Sequence, residues 1–259
     1  MAPSSLPWIG TGLTDKGRVR TSNQDAFAID NERGLWVIAD GMGGHAGGNI
    51  ASEVAVASIV TYVRTSAHSW PSSSNRLQYA TTVLTDAVSA GKHAIQERIA
   101  VAPELSSMGT TVVAAWLSPL PTPSMAIAHV GDSRAYVIRD EQLVPLSTDH
   151  SLVQQLVTEG SITLEESWDH PKKNVILRAL GLNFPSTPDI ALHPLTPHDI
   201  VLLCTDGLTK MLSEEEILSV ILESQGIPED TCQRLITRAN AAGGKDNTTV
   251  LLITPNTPS

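Results

Sequence analysis

Four apolar segments of this chain each meet an aspartate at one end, and this repetition constrains the fold more than any other feature. Leu35-Trp36-Val37-Ile38-Ala39 runs into Asp40-Gly41, and Met125-Ala126-Ile127-Ala128-His129-Val130 runs into Gly131-Asp132. Ile200–Cys204 runs through Thr205 into Asp206-Gly207, and Asp246-Asn247 stands just before the apolar stretch 248–253. Rich in Val, Ile, Leu and Thr and bounded by Gly, Asp or Pro, such segments read as strands. One Asp-Gly is an ordinary turn dipeptide. Four such ends converge if the strands belong to neighbouring sheets. Crowded carboxylates repel unless they are protonated or neutralised by cations. Hard oxygen ligands with no adjacent Cys and no helical His pair suit Mg2+ or Mn2+ rather than Zn2+. An Asp bridging two such ions holds them at the separation used in phosphoryl hydrolysis, and Gly41 leaves its carbonyl free to coordinate. Upstream, in Arg20-Thr21-Ser22-Asn23-Gln24-Asp25, Arg20 offers a planar fork for phosphate. Viewed alone, it is equally a surface arginine.

Further strands are expected at 26–29, 110–117 and 135–139. Helices are expected at 49–64 and 76–99, the second with Leu77, Leu84, Val88, Ile95 and Ile99 on one stripe. A short helix at 151–159 is stopped by Gly160. Ser213-Glu214-Glu215-Glu216 is a capping box opening a helix that ends at Gly226, and a last helix covers 229–242. Regular β-α-β alternation is absent, so the order points to an α+β layered domain with antiparallel sheets. Residues 1–7 and 254–259 read as loose tails, and the Pro/Ser-rich stretches 69–75 and 118–124 as loops too short for linkers, so the chain reads as a single domain spanning 1–259.

Composition narrows the function. Seventeen Lys and Arg against 27 Asp and Glu give a formal charge of −10, which disfavours nucleic acid as a partner. No apolar run approaches a membrane span, and the first residues lack the basic-then-apolar pattern of a secretory signal. Two cysteines, Cys204 and Cys232, form no disulfide framework and fit a reducing cytoplasm.

Together these residues resemble the metal-dependent Ser/Thr protein phosphatases of type 2C, in their compact bacterial form. Seven separated motifs carry the likeness: Arg20 with Asn23-Gln24-Asp25; 37–44 around Asp40-Gly41; Met108-Gly109-Thr110-Thr111; 129–134 around Asp132; Asp149-His150-Ser151; Thr205-Asp206-Gly207-Leu208; and Asp246-Asn247-Thr248-Thr249. It covers about residues 10–253, the expected ordered core. The resemblance implies a four-layer sandwich of two antiparallel β-sheets flanked by pairs of α-helices. It also implies that Asp40 bridges two tightly held Mn2+ or Mg2+ ions, that Gly41 supplies a carbonyl, and that Asp206 and Asp246 complete the pair. Asp132, with Asp206, would hold a third, weaker ion. Arg20 matches the phosphate-binding arginine, and Asp25 an acidic position that orients water. The implied activity is hydrolysis of phosphoserine and phosphothreonine in proteins by a metal-bridging hydroxide, without a phosphoenzyme. The implied partners are phosphorylated proteins, including a bacterial Ser/Thr kinase, acted on by a cytoplasmic monomer.

Met42 stands where eukaryotic members carry a candidate proton-donating His. His45 and metal-bound water both remain open as general acid. Gln24 stands where those members often have Glu. His129 reads as a satisfied core residue, His150 as a loop-ordering one, and Met108, Trp36 and Trp116 as packing. Residues 149–181, thin in apolar content between Gly160 and Asn174, are expected to form a mobile flap beside the metals. Two other functions compete. A Cys-dependent phosphatase needs an Arg six residues after its Cys, and Cys204 has Lys210 there with no nearer basic neighbour. A catalytically silent phosphoprotein-binding module on the same fold requires loss of a ligand, whereas Asp40, Asp132, Asp206 and Asp246 are all present.

Overall fold

A computed structural model describes residues 8–43, 47–67, 70–71, 75–118, 122–181, 184–224 and 227–256. The strands are β1 (Trp8–Asp15), β2 (Asp25–Asp30), β3 (Leu35–Met42), β4 (Gly109–Thr110), β5 (Val112–Ser118), β6 (Ser124–Val130), β7 (Arg134–Arg139), β8 (Gln142–Pro145), β9 (Leu180–Gly181), β10 (Asp189–Pro194), β11 (Ile200–Cys204) and β12 (Thr248–Pro255). The helices are α1 (Gly47–Ser66), α2 (Arg76–Val101), α3 (Leu152–Thr158), α4 (Leu164–Trp168), α5 (Asp206–Thr209), α6 (Glu214–Glu223) and α7 (Pro228–Ala241).

One sheet has the order β1-β12-β11-β7-β8. The other runs β10-β6-β5-β3, with β2 also paired to β3, and β4 and β9 extending from the end of β3. Every pairing is antiparallel. The central strands are predominantly apolar because both faces are buried. In β3, Trp36 and Ile38 enter the layer between the sheets, with Val113, Ile127, Leu203 and Leu251, while Leu35, Val37 and Ala39 face α1 and α2. In β11, Val201 and Leu203 point inward and Leu202 and Cys204 pack under α6 and α7. The expected α+β four-layer arrangement is therefore present. No helix among the described residues is long and apolar enough to cross a membrane.

Several local expectations change. The stretch 110–117 is two strands broken at Thr111, whose hydroxyl accepts from the Asp40 amide at 3.0 Å. Asp40-Gly41 is not a turn: β3 continues through both because β4 supplies pairing for Gly41 and Met42. Leu77, placed on the buried stripe of α2, is 48% exposed, whereas Leu84, Val88, Ile95 and Ile99 are buried. The tail expected from 254 is strand as far as Pro255. Strands β1, β8, β9 and β10 have no counterpart in the sequence reading. β8 and β10 are exposed or half-buried edges, β1 is interrupted by Gly10 and Gly12, and β9 has two residues, so none shows a continuous apolar run. The Ser213 capping box is formed with Glu216, and α6 ends at Glu223; Gly226, its expected stop, lies outside the described residues.

Candidate metal centre

Strand alternation carries Asp40 to the site. Trp36, Ile38 and Asp40 share the face of β3 that looks between the sheets, so the carboxylate continues the inner row at the mouth of the sandwich. Asp25 lies directly opposite it, because β2 and β3 pair Asp25 with Asp40. Asp206 opens α5 immediately after β11 and Thr205, and Asp132 sits in the turn between β6 and β7. Asp246 precedes β12, and its neighbour Asn247 ties this corner to the Arg20 loop. The Asn247 amide donates to the carbonyls of Lys16 (2.8 Å) and Ser22 (2.9 Å), and its Oδ1 accepts from the Gln24 amide (2.9 Å). Gly41 is needed for close approach. A Cβ there would lie 2.1 Å from the Gly48 carbonyl oxygen and 2.5 Å from that of Gln24.

The structure brings Asp25, Asp40, Asp132, Asp206 and Asp246 within one electrostatic neighbourhood. Asp40 keeps some surface open to the cleft, yet desolvation is the first cause pushing its carboxyl well above the usual range, followed by the charges of Asp206, Asp25, Asp132 and Asp246. Burial raises Asp25 to about 7, with Asp206 and Asp246 adding to the shift and hydroxyl donors opposing it. Asp132 is raised to about 7 by burial and then by Asp206. Thr205 and Thr249 donate to Oδ2 of Asp25 at 2.9 and 2.7 Å. Oδ1 of Asp25, of Asp132 and of Asp206 are buried without a hydrogen-bond partner. Buried carboxylate oxygens left unpaired at such a cluster are the donor set a hard divalent cation takes.

Two side-chain cations already sit on this cluster. Lys210 Nζ pairs with Oδ2 of Asp206, and Arg20 Nη2 donates to Oδ2 of Asp246 at 2.7 Å. No group of three or more His, Cys, Asp or Glu side chains among the described residues is gathered closely enough to hold a metal ion. The residues fit divalent ions by charge and by unpaired oxygens, and the fit requires the Lys210 and Arg20 contacts to loosen.

Other expected residues fall as follows. Met42 ends β3 and pairs with Gly109, while His45 lies outside the described residues. His129 is a buried core residue, as expected; the backbone of Ser133 and Gly131 acts on its ring, although neither nitrogen makes a close hydrogen bond. Its ring lies 4.6 Å from that of His150, and burial pushes it down to about 3. His150 does order a loop: its Nδ1 accepts from the Gly131 amide at 3.1 Å and its own amide donates to the Gly131 carbonyl at 2.7 Å. Met108, Trp36 and Trp116 are buried. Cys204 and Cys232 are buried free thiols pushed up by burial to about 12, so neither is a nucleophile. The sequence reading named no partners for the carboxylates, although Thr205 and Thr249 lie inside the aspartate motifs and Lys210 stands four residues after Asp206.

A family model described as Protein phosphatase 2C matches residues 14–238. The serine/threonine phosphatase Stp of Listeria innocua is 37% identical over 248 residues, 94% of each chain. The serine/threonine protein phosphatase PstP of Mycobacterium tuberculosis is 36% identical over 241 residues, 92% of this chain and 43% of PstP. The crystal structure of the M. tuberculosis phosphatase PstP/Ppp matches with a TM-score of 0.82 at 34% identity, over 96% of this chain and 99% of that one. A structure of the PstP catalytic domain in complex with two manganese ions matches at 0.81 and 32% identity, over 96% of this chain and 98% of that one.

Proposed function

The chain belongs to the protein phosphatase 2C family, and on that premise we propose that Asp40, Gly41, Asp206 and Asp246 hold a pair of Mn2+ or Mg2+ ions with which it hydrolyses phosphoserine and phosphothreonine in proteins. It is a metal-dependent Ser/Thr protein phosphatase. The observation that carries the residue assignment is the convergence of five carboxylates at the mouth of the two sheets, three of them with a buried oxygen unpaired. Asp132, with Asp206, is the site of a third and weaker ion.

When bound, the ions supply charge for the phosphoryl oxygens and lower the pKa of water at the site. The chain's own groups do the rest. Arg20 is half-exposed, with its guanidinium at the edge of the cluster, so it turns from Asp246 to donate to phosphate oxygens and hold the substrate in line. Asp25, fixed by Thr205 and Thr249 at Oδ2, presents Oδ1 to orient the attacking water. No side-chain nucleophile is required, consistent with the two inert thiols. We assign residues 149–181 as a flap on one phosphatase domain, with a Ser/Thr kinase among the phosphorylated partners of a cytoplasmic monomer.

Hydrolysis of para-nitrophenyl phosphate and of a phosphothreonine peptide tests this directly. Chelator should abolish both, and Mn2+ or Mg2+ should restore them. Asp40→Asn, Asp206→Asn and Asp246→Asn should each lose roughly 100-fold or more, the scale of removing one electrostatic stabiliser. Asp132→Ala should lose turnover yet retain the tight ions by calorimetry. Full activity in chelator, or loss of the tight ions in Asp132→Ala, would overturn the assignment.

A further inference from the structure

We propose that Lys210 is a tethered cation that neutralises the Asp132–Asp206 side of the centre in the metal-free protein and competes there with a divalent ion. The inference rests on the metal-centre reading above and adds a residue that sets how strongly the weaker ion binds.

Three observations lead to it. First, Lys210 lies four residues after Asp206 across a single short helix, and its Nζ pairs with Oδ2 of Asp206. That helix is pinned at its start: the Thr205 hydroxyl donates to Asp25 at 2.9 Å and accepts from the Thr249 amide at 2.9 Å. The ammonium is therefore attached to the same rigid turn as the carboxylate it pairs with. Second, its charge reaches beyond that pair. The charges of Asp206, Asp132 and Asp40 all act on the Lys210 ammonium. Third, the pairing is incomplete. Oδ1 of Asp206 and Oδ1 of Asp132 stay buried without partners, so one ammonium on one oxygen leaves donors that a divalent ion would use.

Arg20 differs. It reaches Asp246 from 226 residues away in sequence and is half-exposed, so it leaves when a phosphate offers better geometry. Lys210 cannot leave the neighbourhood. Its side chain is 34% exposed, so its stem allows the ammonium to swing toward solvent when an ion arrives. Every ion entering between Asp132 and Asp206 must first drive that swing and then sit near a positive charge. Both effects bear most on that position, because Asp206 is its ligand with Asp132, whereas the tight pair shares Asp206 with Asp40, Asp246 and the Gly41 carbonyl.

Mn2+ titration calorimetry on wild-type protein, Lys210→Met and Lys210→Gln is the test, with thermal unfolding in chelator and in saturating Mn2+. In both variants the weak site should tighten by roughly tenfold while the tight sites change less. The chelated variants should melt lower than chelated wild type, and the Mn2+-saturated variants should not. Lys210→Arg, which keeps the charge, should behave as wild type. In an Asp132→Asn background the gain at the weak site on removing Lys210 should vanish, which localises the competition. A weak site that is unchanged or weaker in both neutral variants refutes the role of Lys210 while leaving the metal reading intact. Wild-type protein that binds no Mn2+ refutes the metal reading itself.

Discussion

Metal affinity should fall steeply with acid, in a range where an exposed carboxylate site would not respond. Asp25 and Asp132 titrate at about 7 instead of 3.8, and Asp40 is also raised, each chiefly through burial. In the folded, metal-free chain these carboxyls keep protons that the unfolded chain releases near pH 4. The stability that Asp25 and Asp132 contribute is fully present below about pH 4 and is lost as pH rises through about 7. A bound cation favours the carboxylate, so binding below pH 7 must expel protons. Each proton expelled costs about 1.4 kcal/mol per pH unit. Between pH 7 and pH 5 that is about 2.7 kcal/mol, or roughly 100-fold in apparent Kd for one proton and roughly 10,000-fold for two. Mn2+ calorimetry at pH 5, 6 and 7, in buffers of different ionisation enthalpy, reads both the affinity and the number of protons. We expect one or two protons released at pH 6 and fewer as pH rises past 7. Thermal unfolding supplies the other half: with chelator, the stability due to these carboxyls declines from pH 5 to 7, and saturating Mn2+ removes that decline. His129 acts with the opposite sign. Held at about 3, it stays neutral when folded while an unfolded His takes up a proton, so its contribution is lost as pH falls from about 6.5 toward 3. That contribution is shared by the metal-free and metal-loaded chains and cancels in their difference. An affinity that is flat from pH 5 to 7, with no proton release, would show that Asp25, Asp40 and Asp132 are not buried beside the bound ions.

Four further outcomes are expected. Cys204→Ser should keep its turnover in saturating Mn2+ while losing about 1–3 kcal/mol of stability from a buried hydroxyl; a folded but dead variant would return the thiol to the chemistry. Arg20→Ala should raise KM by on the order of tenfold more than it lowers kcat, because a phosphate clamp acts in ground and transition states alike, and steady-state kinetics with both constants unchanged would remove it from the site. Gly41→Ala should lose about 3 kcal/mol, a fall of roughly 6–12 °C in Tm in chelator, since backbone atoms of Gly48 and Gln24 must move for its Cβ; an unchanged Tm would contradict the packing of β3 on the start of α1. Shortening the 160–174 segment, where Leu164 and Trp168 are exposed, should change rates on phosphopeptides much more than on para-nitrophenyl phosphate; equal losses would make it a support of the fold instead.

The sequence alone determined what depends on neighbours in the chain. Uninterrupted apolar runs at 35–39, 125–130 and 200–204 marked strands buried on two faces, and Ser213 with Glu216 marked the start of a helix whose capping bonds form as written. It also showed that Cys204 has no basic neighbour in the chain before Lys210; the fold does bring Arg134 beside the thiol, but burial outweighs that charge and pushes it up to about 12. Tertiary structure decided what depends on partners far apart in the chain. Edge strands such as β10 are stabilised by pairing to one neighbour, which leaves little trace in local hydrophobicity. Asp40-Gly41 resembles a turn in isolation and becomes strand only because Gly109-Thr110 pairs beside it. Asp25 stands opposite Asp40 through the β2–β3 register, and it takes its two hydroxyl donors from residues 180 and 224 positions away. The aspartates were visible one at a time; their mutual repulsion, the unpaired oxygens and the ammonium of Lys210 among them arise only when the two sheets are stacked, because burial and charge proximity are properties of the packed chain.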